Sequence, residues 1–164
     1  MSQAVVRLDG QFGEGAIVAD LAGFAYVMRG KDYHLLDREA VQARLLAPPD
    51  VQTTHPETGT QRALFDFPRL QVTPASQPCR VIVATHPASS QAARIGTTRD
   101  DVVSELFFTA LPGGAFSAAD VVELYLHRGA SAPVLSDEDQ EQAPDRWCSH
   151  TACGQEFWQI LCPW

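Results

Sequence analysis

An aspartate at the end of a short apolar run, beside a glycine, is the first place in this chain where chemistry could sit. Residues Ala4 to Leu8 are apolar and β-branched, as a buried strand requires, and Asp9-Gly10 follow directly. Open α/β sheets place reactive groups at the carboxyl ends of their strands. Asp-Gly is equally a common turn pair, so the dipeptide alone leaves both readings open. A second group of reactive side chains lies late in the chain, at Cys148, His150 and Cys153, with Cys162 nearby. Its spacing departs from the usual zinc-ligand patterns, and buried or partly exposed thiols are the simpler reading. His127, between Leu126 and Arg128, reads as structural or solvated rather than as a general base. No Ser-His-Asp order, dinucleotide-binding glycine fingerprint or phosphate loop occurs.

The elements that must position Asp9 follow from periodicity. Ile17 to Leu21 fits a short helix stopped by Gly23, and Phe24 to Met28 is a second apolar strand closed by Arg29-Gly30-Lys31. Asp37 to Leu46 fits another short helix, with Val41 and Leu45 four residues apart. Residues 51–62 are polar and read as loop. Residues 63–72 predict a strand in which Pro68 demands an edge or a bulge. Cys79 to Thr85 is the best strand of the middle segment. His86 to Asp101 reads as a loop or hairpin connection, and Val102 to Leu111 as a further strand. Ser117 to Arg128 is the clearest helix. Ser117 and Asp120 form a capping-box pattern, and Val121, Leu124 and Tyr125 form one apolar stripe with Arg128 on the same side. Gly129 and Pro133 end it. Residues 136–145 are an acidic, solvated loop, and residues 146–164 an aromatic tail that reads as a truncation point.

Taken together these pieces resemble the DDE transposases of bacterial insertion sequences. Arg7-Leu8-Asp9, Phe12-Gly13 and Tyr26-Val27-Met28-Arg29-Gly30-Lys31 look like that family's second-aspartate segment. Residues 105–111 followed by Ser117 to Arg128 look like its last core strand and the helix of its final glutamate. Tyr125-Leu126-His127-Arg128 matches the start of its Y-x-x-R-x-x-x-E signature. The likeness runs on through residues 146–150 to about Trp158 and so covers nearly the whole chain, as the C-terminal part of a longer protein. It implies an α/β (α+β) fold: a partial ribonuclease-H-like core, with a strand-rich insertion between the second-aspartate unit (residues 1–46) and the last core helix (residues 117–132).

The resemblance also implies a chemistry. The family cuts and rejoins transposon-end DNA with two Asp and one Glu holding Mg2+ or Mn2+, a metal pair that activates the nucleophile and neutralises the leaving oxygen. It assigns Asp9 as a catalytic and metal-binding residue, Tyr125 and Arg128 as catalytic residues, and Arg29 and Lys31 to DNA. Two of the three acids have no match. Only eight residues precede Asp9, and the glutamate position is Ala132. Glu138 lies in the acidic loop, and Glu123 is nearly opposite Tyr125 in helical phase, so neither replaces it. The expectation is a truncated transposase fragment, catalytically incompetent and prone to self-association. The alternative is a small cytoplasmic α/β protein that binds a partner and catalyses nothing.

Composition bounds both readings. At 164 residues and 45% hydrophobic content the chain fits one domain with a core. Its net charge of -8 argues against a simple nucleic-acid binder. The charge is uneven: residues 1–99 carry ten Lys or Arg and nine Asp or Glu, residues 100–164 two and eleven. Any DNA affinity is therefore expected to be weak and to reside before residue 100. The longest apolar stretch, Ala16 to Met28, is interrupted by Asp20 and is too short to span a bilayer. With no secretion signal read, four cysteines point to free thiols and a cytoplasmic location.

Overall fold

Valine- and phenylalanine-rich runs become strands here because both faces of each run find a layer to bury against. In Cys79–Pro87, Val81 and Val83 face one layer while Ile82 and Ala84 face the other, and all four are buried. Such two-sided burial explains why the run is apolar throughout rather than alternating. The computed structural model describes residues 5–55, 59–73, 77–88 and 96–126. The chain divides into two units, Met1–Leu126 and His127–Trp164, and every described residue belongs to the first.

Seven strands make one sheet. They are β1 (Val5–Leu8), β2 (Ala25–Gly30), β3 (Val51–Thr54), β4 (Gln61–Leu70), β5 (Cys79–Pro87), β6 (Thr97–Arg99) and β7 (Val102–Thr109). The order is β1-β2-β7-β5-β4-β3, with β6 pairing with β7 off that path. β1 and β2 are parallel, and the remaining pairs are antiparallel. A parallel pair needs a crossover, and helix α1 (Gly15–Asp20) lies on it. α1, helix α2 (Glu39–Leu45) and the turn Tyr33–Asp37 cover one face, where Val18, Leu35 and Val41 meet Met28, Val83 and Phe108. Helix α3 (Ala118–Leu126) covers the other, where Val121, Val122 and Tyr125 meet Val27, Ile82 and Phe107. The fold is therefore mixed α+β, as the residue pattern implies. The strand-rich middle segment is continuous with β1 and β2 in the same sheet.

The structure departs from the sequence reading in three places. Val51–Thr54, within the segment expected to be loop, is β3, antiparallel to β4. A four-residue strand of alternating half-buried and exposed positions carries too weak a pattern to stand out. β2 runs on through Arg29 and Gly30 instead of closing there. A Cβ at Gly30 would lie 2.3 Å from Phe108 Cζ, so glycine is what lets the ring of Phe108 cross the strand. His86–Asp101 contains β6, and a two-residue hairpin loop joins β6 to β7. Asp100 and Asp101 both adopt left-handed backbone there, with φ of 47° and 62°, which short acidic side chains tolerate. Pro68 sits where the β4–β5 register shifts between Phe67 and Leu70, the bulge its missing N–H demands. No helix among the described residues is long and apolar enough to cross a membrane.

One side chain ties the sheet to α3. Arg80, on β5 and buried, grips Asp66 of β4 through Nε (3.0 Å to Oδ1) and Nη2 (2.6 Å to Oδ2). Its Nη1 donates to the carbonyls of Leu111 (3.1 Å) and Phe116 (2.8 Å), in the connection that leads from β7 into α3. A planar guanidinium can reach these acceptors together, and an ammonium cannot. Arg80→Ala leaves Asp66 and two carbonyls without their donor. The expected loss is about 3 kcal/mol, the low end for a broken buried pair because the Asp66 side chain is 22% exposed. Arg80→Lys is expected to recover less than half of that, and urea unfolding of the three proteins measures both values.

Candidate functional site

Asp9 follows β1 directly and precedes the short 3-10 turn Gly10–Phe12, where its carbonyl accepts from the Phe12 N–H at 2.9 Å. It is solvent-exposed at the carboxyl end of a strand that is parallel to its neighbour. The turn is pinned to the end of β2. Lys31 N–H donates to the Gly13 carbonyl at 2.7 Å, and a Cβ at Gly13 would lie 2.0 Å from the carbonyl oxygen of Arg29. Only glycine permits that approach. The Gly15 N–H then donates to the Asp32 carboxylate at 2.8 Å, fixing the start of α1.

The sheet register carries Arg29 to the same level as Asp9. Leu8 pairs with Met28, so the next residues on each strand lie side by side, and the Arg29 side chain rests 3.7 Å from the position a Gly10 Cβ would take. Arg29 is half-buried, and its Nε has no hydrogen-bond partner. Lys31 is exposed. Arg7, two residues before Asp9, donates from Nη1 to the Leu124 carbonyl on α3 at 3.3 Å. The strand of Asp9 and helix α3 are thus in direct contact across 117 residues of sequence.

Of the other residues assigned by resemblance, Tyr125 is 8% exposed and packs edge-on against Phe107, with ring centroids 5.3 Å apart and planes at 67°. Its ring belongs to the core between α3 and the sheet. Arg128 and Ala132 lie outside the described residues, as do Cys148, His150 and Cys153. Magnesium or manganese of the kind the family uses needs several oxygen ligands. Among the described residues no group of three or more His, Cys, Asp or Glu side chains is placed to hold a metal ion, and the side chain laid against the Asp9-Gly10 turn is a cation.

Two features escaped the sequence reading. Glu105, on β7 and 3% exposed, accepts from Arg62 Nε of β4 at 2.9 Å and lies 3.9 Å from His86 Nε2 of β5, an ion-paired cluster joining three strands. Three residues this far apart in sequence give no local signal. The second is a cleft of about 700 Å3 bordered by α1, Tyr26, Pro68, Cys79 and Leu111. Burial pushes the Cys79 thiol up to about 11, so it remains a thiol at neutral pH and is a poor nucleophile. Burial raises the neighbouring Tyr26 hydroxyl as well.

No protein-family model matches the chain, and no curated protein matches it significantly.

The cap of α3 yields a prediction. Ser117 N–H donates to Asp120 Oδ2 at 2.7 Å, and Asp120 N–H returns a bond to Ser117 Oγ at 3.2 Å, a reciprocal capping box. Ser117→Ala is expected to cost about 1 kcal/mol of stability. The bonds from Ser117 hold the Asp120 carboxyl below its ordinary range. Its contribution is therefore present above the ordinary aspartate pKa and is lost as pH falls through the depressed folded value. Thermal melts of wild type and Asp120→Asn should differ at neutral pH and converge in acid.

Proposed function

We propose that this chain is part of the catalytic domain of a DDE-type insertion-sequence transposase, a protein that acts on transposon-end DNA in the cytoplasm, and that it lacks the final acid needed for cleavage. One observation carries the reading. An aspartate stands at the carboxyl end of a parallel strand, and that strand is hydrogen-bonded through Arg7 to the helix on which the resemblance places the final signature. Three carboxylates from distant segments must converge for metal-assisted phosphoryl transfer, and this pairing is the scaffold on which two of them would meet. Asp9 supplies one acid on that scaffold. Ala132 stands where the resemblance puts the final glutamate.

On this reading Arg29 and Lys31 contact DNA. Lys31 is exposed and the half-buried Arg29 side chain lies against the Asp9-Gly10 turn, so both stand at the strand end where Asp9 sits. Tyr125, held in the core, contributes by fixing α3 to the sheet. A second reading, a small non-enzymatic binding protein, draws on the cleft of about 700 Å3 beside α1. It predicts a ligand held without any role for Asp9.

The DNA upstream of the Met1 codon separates the two. A transposase remnant is expected to be preceded, in frame or across a frameshift, by coding sequence for a strand ending in aspartate. An intact unrelated gene immediately upstream, with no such sequence, would overturn the proposal.

A further inference from the structure

At one end of the sheet the connections of two neighbouring strands lie on opposite faces. β2 is entered there from α1, which packs on the Met28 face, and β7 leaves for α3, which packs on the Val27 face. Val27 of β2 pairs with Thr109, the last residue of β7. Adjacent strands whose connections part in this way leave a crevice between them, and open sheets hold ligands at such points. The cleft of about 700 Å3 beside α1 lies at this point, between Val18 and Leu21 on one side and Leu111 and Pro112 on the other. Arg80 Nη1 holds the Leu111 carbonyl at 3.1 Å, so the turn after β7 is fixed before any ligand arrives. A preformed wall lowers the cost of binding.

The chemistry of the wall limits what can enter. Asp66 and Arg80 are its charged side chains among the described residues, and they pair with each other at 2.6 Å. Tyr26 and Cys79 also line it and are hydrogen-bonded together, and burial raises both so that they stay protonated at neutral pH. The Thr109 hydroxyl is committed to the Tyr26 carbonyl at 2.7 Å. A charged ligand would therefore lose its hydration without meeting a free counter-charge. An apolar body with one hydrogen-bonding atom would not, because the hydroxyl and thiol can take that atom.

We propose that this cleft binds a small uncharged molecule, mainly apolar, whose one hydrogen-bonding group meets Tyr26 and Cys79. The inference rests on the second reading above for the use of the cleft, names the ligand class that reading leaves open, and needs no role for Asp9.

The test is a fluorescence titration at neutral pH, in which the full chain is added to a trace of phenylnaphthylamine, a neutral probe whose emission rises in apolar surroundings. Anilinonaphthalene sulfonate, the same ring system carrying a charge, is the comparison, and circular dichroism confirms that each variant is folded. The neutral probe is expected to bind saturably with a dissociation constant below about 100 µM, at least about tenfold more tightly than the sulfonate. Ala22→Trp, at an exposed position on the cleft wall, should weaken it at least about tenfold, and Ala16→Trp, exposed on α1 and not on that wall, should leave it unchanged. Tyr26→Phe removes the oxygen that accepts from the probe N–H and should weaken binding about threefold or more. A sulfonate that binds as tightly as the neutral probe, and is likewise excluded by Ala22→Trp, would overturn the ligand class and leave the cleft as a binding site. No saturable binding with protein up to about 0.5 mM, or binding that Ala22→Trp does not weaken, would overturn both.

Discussion

The guanidinium of Arg80 is the constraint on which the rest depends. It sits in the sheet at 7% exposure, where an unpaired cation would be prohibitively costly. The structure compensates with the Asp66 carboxylate on one side and the Leu111 and Phe116 carbonyls on the other. Those acceptors belong to β4 and to the connection leading from β7 into α3. A single buried charge thereby joins the sheet to the helix that closes one of its faces. The packing below it is conventional: Val121 and Tyr125 against Phe107 and Ile82, with no charge between them. Dispersion and burial hold α3 down, and Arg80 decides where it starts.

From that start α3 runs to Leu124, whose carbonyl meets Arg7 of β1. The capping box at Ser117 and the Arg80 contacts fix one end of the helix, and the Arg7 contact fixes its position near the other. At the level of Asp9 the glycines take over. Gly13 allows the first turn to close on the Arg29 carbonyl, and Gly30 admits the ring of Phe108, so β2 extends far enough to bring Arg29 alongside Asp9. The groups at that level are an exposed carboxylate and a half-buried guanidinium.

Much of the fold was legible because burial leaves local traces. The strands from Cys79 and from Val102 announce themselves by apolar runs, the cap of α3 by Ser117 with Asp120, and the bulge at Phe67–Leu70 by Pro68. β3 escaped because a Val-Gln-Thr-Thr segment at an edge buries too little to mark its sequence. The course of β2 through Gly30 escaped because the reason lies in a ring 78 positions away in the chain, that of Phe108. The Arg80 contacts and the Glu105–Arg62 pair escaped for the same reason, since partners dispersed along the chain have no spacing rule. The candidate site was legible only at Asp9 and its glycines. The burial of Tyr125 against Phe107 was legible in the apolar stripe of α3.

The proposal above makes Asp9 a transposase acid whose final glutamate is replaced by Ala132. Supercoiled-plasmid nicking in manganese, comparing the full chain with Asp9→Ala, tests it most directly. Nicking that stays at the background of the metal-free control in both proteins is the predicted result. Manganese-dependent cleavage by the wild type that disappears with Asp9→Ala would contradict it, because it would require a complete set of acids around that aspartate.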